Sequence, residues 1–301
     1  MEGRATITYG DVMQIERDQD KCNYCMLCVR DCITGVWQDV EGVPTPGRPE
    51  LCNLCSHCVA VCPVDAIIHK GLPDNGELAA VSRDMLDPDV YREVVKTRRS
   101  IREYKQKQVS VETVESIIDL ARFSPTASNS QHVEYIVVTD PNILQTVSEH
   151  VFLFGENLYK WYNSGLGRAL FRIFGNIGAV KKLSGYMNAM DYYIERHREG
   201  KDYILHNAPV LILVCAPSGE TFGVDNCNIA ASNIMNYSHA LGLGTCCIGF
   251  LTVMLKYSRK LRKLLQLPNN RTVHASLVLG YPAYSHKYDV QRQLPRTTWL
   301  E

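Results

Sequence analysis

Two hydrophobic periods alternate along most of this chain. Val111 to Ala121 carries apolar side chains at helical spacing, with an acid in its first turn and Ser110 placed as N-cap. Val133 to Thr139 is rich in β-branched residues and reads as a strand. Val210-Leu211-Ile212-Leu213-Val214-Cys215 is a continuous apolar run between Pro209 and Pro217, the pattern of a buried central strand. Asp225 to Leu241 reads as a long buried helix stopped by Gly242 and Gly244. His274 to Leu279 is another buried strand, closed by Gly280-Tyr281-Pro282. Helices and strands interleaved in this way predict an α+β layout, a sheet covered by helices.

Breaks in the pattern divide the chain. Gly71-Leu72-Pro73-Asp74-Asn75-Gly76 interrupts any regular element, and Asp87-Pro88-Asp89 marks a second boundary. Residues 1–85 therefore read as one domain with its linker and residues 86–301 as another. In the first, Gly42-Val43-Pro44-Thr45-Pro46-Gly47 is turn-rich and reads as a surface connection. In the second, residues 151–205 are rich in Tyr, Arg and Lys and include Phe152, Tyr159, Trp161, Tyr162, Tyr186, Met187, Tyr192, Tyr193 and Tyr203. This stretch reads as a helical lid or dimer arm, although any one of these rings serves equally well to pack helices together.

Composition excludes more than it chooses. The 301 residues are 46% hydrophobic and 21% charged, ordinary for a globular chain that buries a core. The formal charge is zero, so bulk electrostatics point to neither nucleic acid nor a membrane surface. The longest uncharged apolar run, Ala208 to Pro217, is about half of what a spanning helix needs. No apolar segment follows Met1-Glu2-Gly3-Arg4 to act as a secretory signal, and a cytoplasmic location is expected. Up to Asp84 the chain has thirteen acids against seven Lys or Arg, so the remainder is the basic part. That asymmetry suits a second domain holding an anionic cofactor, though it has many other causes.

Twelve cysteines decide the class. Eight lie between residues 22 and 62 in two runs of C-x2-C-x2-C-x3-C: Cys22, Cys25, Cys28, Cys32, then Cys52, Cys55, Cys58, Cys62 followed by Pro63. Disulfide scaffolds belong to short secreted chains, and zinc sites rarely place three cysteines in one tight loop. Three thiolates so spaced, with a fourth from afar, suit a [4Fe–4S] cluster. The segment from about residue 5 to 72 resembles the bacterial two-cluster ferredoxin domain. That resemblance implies two short hairpins and two short helices, and a fourth cysteine from each run that crosses to the other cluster. One cluster would then take Cys22, Cys25, Cys28 and Cys62, and the other Cys52, Cys55, Cys58 and Cys32. Ile33 stands after Cys32 where the motif usually has proline.

Three further segments carry chemistry. Arg98-Arg99-Ser100-Ile101-Arg102 can grip a phosphate through charge-assisted hydrogen bonds, though alone it is as readily a solvated helix end. Ser124-Pro125-Thr126-Ala127-Ser128-Asn129-Ser130-Gln131 offers amides able to read the edge of a flat heteroaromatic ring, or simply caps a helix. Gly242-Leu243-Gly244-Thr245-Cys246-Cys247-Ile248-Gly249 lets backbone approach a planar cofactor, or turns a helix end into a strand.

In this order the three segments resemble the FMN-dependent nitroreductase family over about residues 90–301, and the whole chain resembles its ferredoxin-fused branch. The resemblance implies a mostly antiparallel sheet covered by helices and an intertwined homodimer. It implies that Arg98, Arg99, Ser100 and Arg102 hold the FMN phosphate, with Arg292 or Arg296 as the late partner. Pro125, Ser128, Asn129 and Gln131 match the loop that contacts the ring and ribityl chain; His132 stands where many relatives have proline. Gly242, Leu243, Gly244 and Gly249 match the stretch against the isoalloxazine, with Cys246, Cys247 and Ile248 lining it. Many relatives have tryptophan at the position of Cys247.

The implied function is an oxidoreductase fed by a low-potential donor such as a ferredoxin. It reduces a nitroaromatic, quinone, activated alkene or halogenated aromatic from flavin N5. The alternative is an electron-transfer component between ferredoxin and a nicotinamide or protein partner. No residue stands out as obligatory acid or base; Tyr186 and Tyr193 are the candidate proton donors. His69, His206, His239 and His274 read as structural, and Cys215, Cys227, Cys246 and Cys247 as free thiols.

Overall fold

The computed structural model describes residues 14–72, 78–174 and 189–301. The chain forms two compact units, residues 1–86 with 127–130 and residues 87–126 with 131–301.

The first unit contains β1 (Ile15–Arg17), α1 (Leu27–Asp31), β2 (Trp37–Val40), β3 (Val43–Pro46), α2 (His57–Ala60) and β4 (Ile67–His69). Among the described residues β2 and β3 form a hairpin, and the other sheet pairs β1 with β4, Ile15 opposite His69. The expected surface connection after Gly42 is strand β3. Glu41 and Gly42, at φ 52° and 83°, make a two-residue turn in the left-handed conformation, whose twist matches the right-handed twist of hairpin strands. Pro44 and Pro46 are two apart, which puts both on the outward side of an edge strand where no ladder N–H is needed. The core of this unit is Ile15, Val36, Trp37 and Ile67 together with Cys28 and Cys52. So small a core is marginal by itself.

The second unit begins with α3 (Pro88–Thr97) and α4 (Val111–Ala121), followed by β5 (Glu134–Val138), α5 (Pro141–Asn163), α6 (Gly165–Phe174) and α7 (Met190–Arg198). Then come β6 (Val210–Pro217), α8 (Gly223–Ala240), β7 (Gly244–Cys247), α9 (Gly249–Met254), α10 (Arg259–Leu264) and β8 (Arg271–Gly280). The strands form one antiparallel sheet in the order β5-β6-β8-β7. β6 explains its unbroken apolar sequence. Leu211, Leu213 and Cys215 enter one core with Val147 and Val151 of α5 and Leu251 of α9. Val210, Ile212, Val214 and Ala216 enter a second core with Ile117 of α4 and Ala230 and Ile234 of α8. With both faces covered, each large side chain contributes about 1.5–3 kcal/mol. The helical stretch expected from residue 151 starts earlier, at Pro141, capped by the Asp140 carboxylate. Among the described residues no helix is long and apolar enough to cross a membrane.

Candidate functional site

The two cysteine runs repeat in backbone as well as in sequence. Tyr24 and Met26 in the first loop have φ of 58° and 60°, and Leu54 and Ser56, thirty positions on, have 57° and 64°. Gly35 and Asp65, three residues beyond each fourth cysteine, repeat the match at 75° and 50°. A left-handed non-glycine residue costs about 1–2 kcal/mol, so five of them in two short loops need a reason. Such conformations turn successive N–H groups inward, the arrangement that cradles an anionic cluster.

Cys22, Cys25, Cys28 and Cys62 line one small cavity together with Pro44 and Ile67. Burial pushes the Cys28 thiol up, and the charges of Cys25 and Cys62 push it further. Cys52 rises by burial and by the charges of Cys55 and Cys32. Cys58 is pushed up to about 11 by burial, opposed by the Trp37 indole. For Cys32, burial pushes up, but N–H groups of Trp37, Val36 and Gly35 and the Thr34 hydroxyl outweigh it and hold the thiol low. Donors also reach Cys62 Sγ from Ala66 N at 3.2 Å and Cys52 Sγ from Leu54 N at 3.4 Å. The thiols are free of disulfides, and among the described residues no three metal-binding side chains converge on a single ion. Sulfurs held apart around a common space and met by N–H donors fit a cluster.

In the second unit the structure joins two of the three expected segments. Ser100 forms a parallel bridge with Thr245, and Ile101 N donates to Thr245 O at 2.9 Å. Arg98 to Arg102 is thereby an edge addition to β7. Arg102 and Ser100 lie beside the Cys246 thiol, and Arg98 beside Cys247. Arg99 Nη1 is taken by the carbonyls of Lys96 and Arg98, whereas its Nε and Nη2 are buried without a protein acceptor. Two unsatisfied cationic donors on one fork are what a phosphate would meet. His239 of α8 accompanies them: Thr97 Oγ1 lies 2.8 Å from its Nε2, and burial, then Arg98 and Arg99, hold its pKa down.

The glycines divide differently from the expectation. A Cβ on Gly244 would meet Ile101 Cγ1 at 2.5 Å, so its bareness admits Ile101. Gly249 faces open space instead. Cys246 and Ile248 are buried in the core, while Cys247 is exposed, its sulfur 3.6 Å from Met235 Sδ.

The polar loop lies partly in each unit. Ser128, Asn129 and Gln131 are left-handed, with φ of 53°, 53° and 51°, and Gln131 N donates to Thr126 Oγ1. Asn129 counts with the first unit, where its Nδ2 donates to the Asn53 carbonyl at 3.0 Å. Ser124 Oγ accepts from Asn233 Nδ2 of α8. Pro125, Arg292 and Arg296 are exposed. Tyr193 packs with Tyr192 and Tyr203, and Tyr186 lies outside the described residues. A separate cavity of about 610 Å³ is lined by Lys105, Lys107, Lys201 and Asp202 among others, and by none of the residues expected at the flavin or clusters. Ile101 has its partner 143 positions away, and His69, expected to be structural, has a ring that meets a cysteine; no local pattern announces either contact.

The pattern of the nitroreductase family matches residues 95–281, and that of the 4Fe-4S binding domain matches residues 48–68. A protein of Archaeoglobus fulgidus with the provisional name NADH dehydrogenase/NAD(P)H nitroreductase is 28% identical over 194 residues, 63% of this chain and 83% of the relative. The 4-nitrobenzoate reductase of Nocardioides sp. is 26% identical over 66% of this chain and 83% of its own. Among solved structures, the nitroreductase with bound FMN from Bacteroides fragilis superposes with a TM-score of 0.52 at 19% identity, covering 70% of this chain and 98% of that one.

Proposed function

This chain belongs to the nitroreductase family, and from that premise we propose that it is an FMN-dependent oxidoreductase supplied with electrons through two [4Fe–4S] clusters. The observation that carries the flavin reading is the joining of Arg98–Arg102 to β7, with two donors of Arg99 left open. On this reading Arg98, Arg99, Ser100 and Arg102 hold the phosphate, and Cys247 and Gly249 border the ring. FMN supplies the exchange between one-electron carriers and a two-electron acceptor. The repeated left-handed loops and the cavity shared by Cys22, Cys25, Cys28 and Cys62 support two clusters with exchanged fourth ligands.

The acceptor class follows from the flavin: an electron-poor nitroaromatic, quinone, activated alkene or halogenated aromatic. The name of the Nocardioides relative favours the first of these. Anaerobic reductive titration of the purified protein, followed by mixing with one compound of each class, tests the reading. Cluster and flavin bands should bleach and one class should restore them. Denatured protein that releases no flavin would refute it.

A second reading keeps the cofactors and passes electrons between a ferredoxin and a nicotinamide. The name of the Archaeoglobus relative favours it. Oxidation of NADH coupled to ferredoxin, with no turnover of any electrophile, would establish this role instead.

A further inference from the structure

The two cysteine runs match in spacing and backbone but differ in what their first cysteines touch. His69, at the end of β4, is 1% exposed, and its Nε2 lies 3.3 Å from Cys52 Sγ. Thirty positions earlier the residue is Asp39, whose exposed carboxylate accepts from Gly42 N at 2.8 Å and has nothing to donate. Cys22 meets the side chain of Arg17 instead, a guanidinium whose Nη1 is buried and which stacks 5.2 Å from the Tyr24 ring. We infer that His69 is a positioning residue that donates Nε2–H to Cys52 Sγ and raises the reduction potential of the cluster on Cys32, Cys52, Cys55 and Cys58 alone. This inference rests on the two-cluster reading above.

The tautomer follows from the chemistry of the sulfur. An iron-bound thiolate carries no proton and only accepts, so the imidazole must place its proton on Nε2. Its Nδ1 is buried without a partner, and a bare lone pair there is tolerated better than an unpaired N–H. The pairing of Ile15 with His69 fixes the strand from which the ring projects.

Reduction of the cluster takes one electron from a low-potential donor, and oxidation returns it to the next acceptor. No bond breaks, and His69 keeps its proton throughout. The added charge spreads onto the ligand sulfurs, so a donor fixed against one of them favours the reduced form. Water does not compete at a site this buried, and Cys22 meets a charged guanidinium where Cys52 meets an imidazole. The clusters thus receive different donors, and their potentials can be moved separately.

EPR-monitored redox titration of anaerobically purified full-length protein, carrying iron and sulfide for two clusters, tests this. His69→Met keeps the volume without the N–H and should lower one midpoint potential while leaving the other in place. His69→Gln, whose amide donates, should restore part of the shift. Both potentials unchanged, or both moved together, overturns the inference. Wild-type protein with nitrogen-15 histidine provides a check free of folding effects. One reduced cluster should show coupling to an imidazole nitrogen and to a proton that exchanges in D2O, and no such coupling overturns the inference. Wild-type protein holding iron for fewer than two clusters overturns it together with the reading beneath it.

Discussion

Ile101 occupies the space that a side chain on Gly244 would need. A Cβ there would stand 2.5 Å from Ile101 Cγ1 and 2.7 Å from its Cβ, far inside contact distance. Only with a bare backbone at Gly244 can Ile101 N reach Thr245 O, and that bond lays the arginine segment along β7. The glycine therefore serves the proposed phosphate site at second hand, by admitting the residue that anchors it.

Gly244→Ala should cost about 1–3 kcal/mol through overpacking and reduce the FMN that co-purifies. The second change Ile101→Gly removes both the Cγ1 and the Cβ that the new methyl would strike, and should recover part of the stability. Thermal melts and flavin content of both single variants and the double variant form the cycle that checks it. Additive losses would mean the two residues do not meet.

Arg99→Gln removes the two open donors. Hydrogen bonds to a charged group are worth about 1.5–3 kcal/mol, so affinity for FMN should fall about 10- to 100-fold. Riboflavin, which lacks the phosphate, should bind wild type and variant alike. Fluorescence titration of the flavin-free protein with each compound measures the difference, and an equal loss for both would place Arg99 away from the phosphate.

How far the sequence reveals this structure depends on how local each cause is. Helix α4 has the bounds that its periodicity and Ser110 imply, and Ser110 Oγ does accept from Thr113 N. β6 runs two residues beyond its apolar core sequence, to Pro217, because its end still pairs with Arg271. β3 was obscured by two prolines, which mark turns in most settings and are tolerated here by an edge strand. The cysteine runs declare their chemistry through spacing alone. Contacts made across the fold, Ile101 on Gly244 and His69 on Cys52, leave no trace in either neighbourhood of the chain.

Stability should fall on the alkaline side through the core thiols. Cys227 and Cys215 are 0% and 1% exposed, and burial pushes them up to about 12 and about 11. An unfolded thiol titrates near 8.5. Their stabilising share is thus complete below about pH 8.5 and is lost as pH rises toward the folded values, about 1.4 kcal/mol per pH unit for each thiol. Cys227→Ala should remove one share of that slope whatever it does to stability at neutral pH. Urea midpoints measured from neutral to alkaline pH decide it: an unchanged slope in the variant would absolve the thiol.

The proposed exchange of fourth ligands predicts which cysteines fail together. Cys62 lines the cavity of Cys22, Cys25 and Cys28, and its charge acts on Cys28, although Cys58 is nearer to it in sequence. Cys32 acts on Cys52 in the same way. Cys62→Ser should therefore disturb the same cluster as Cys25→Ser, and Cys32→Ser the same one as Cys55→Ser. EPR spectra of the four reduced variants should fall into those two pairs. Ligation within each run would instead pair Cys62→Ser with Cys55→Ser, because both would then strike the cluster held by the second run.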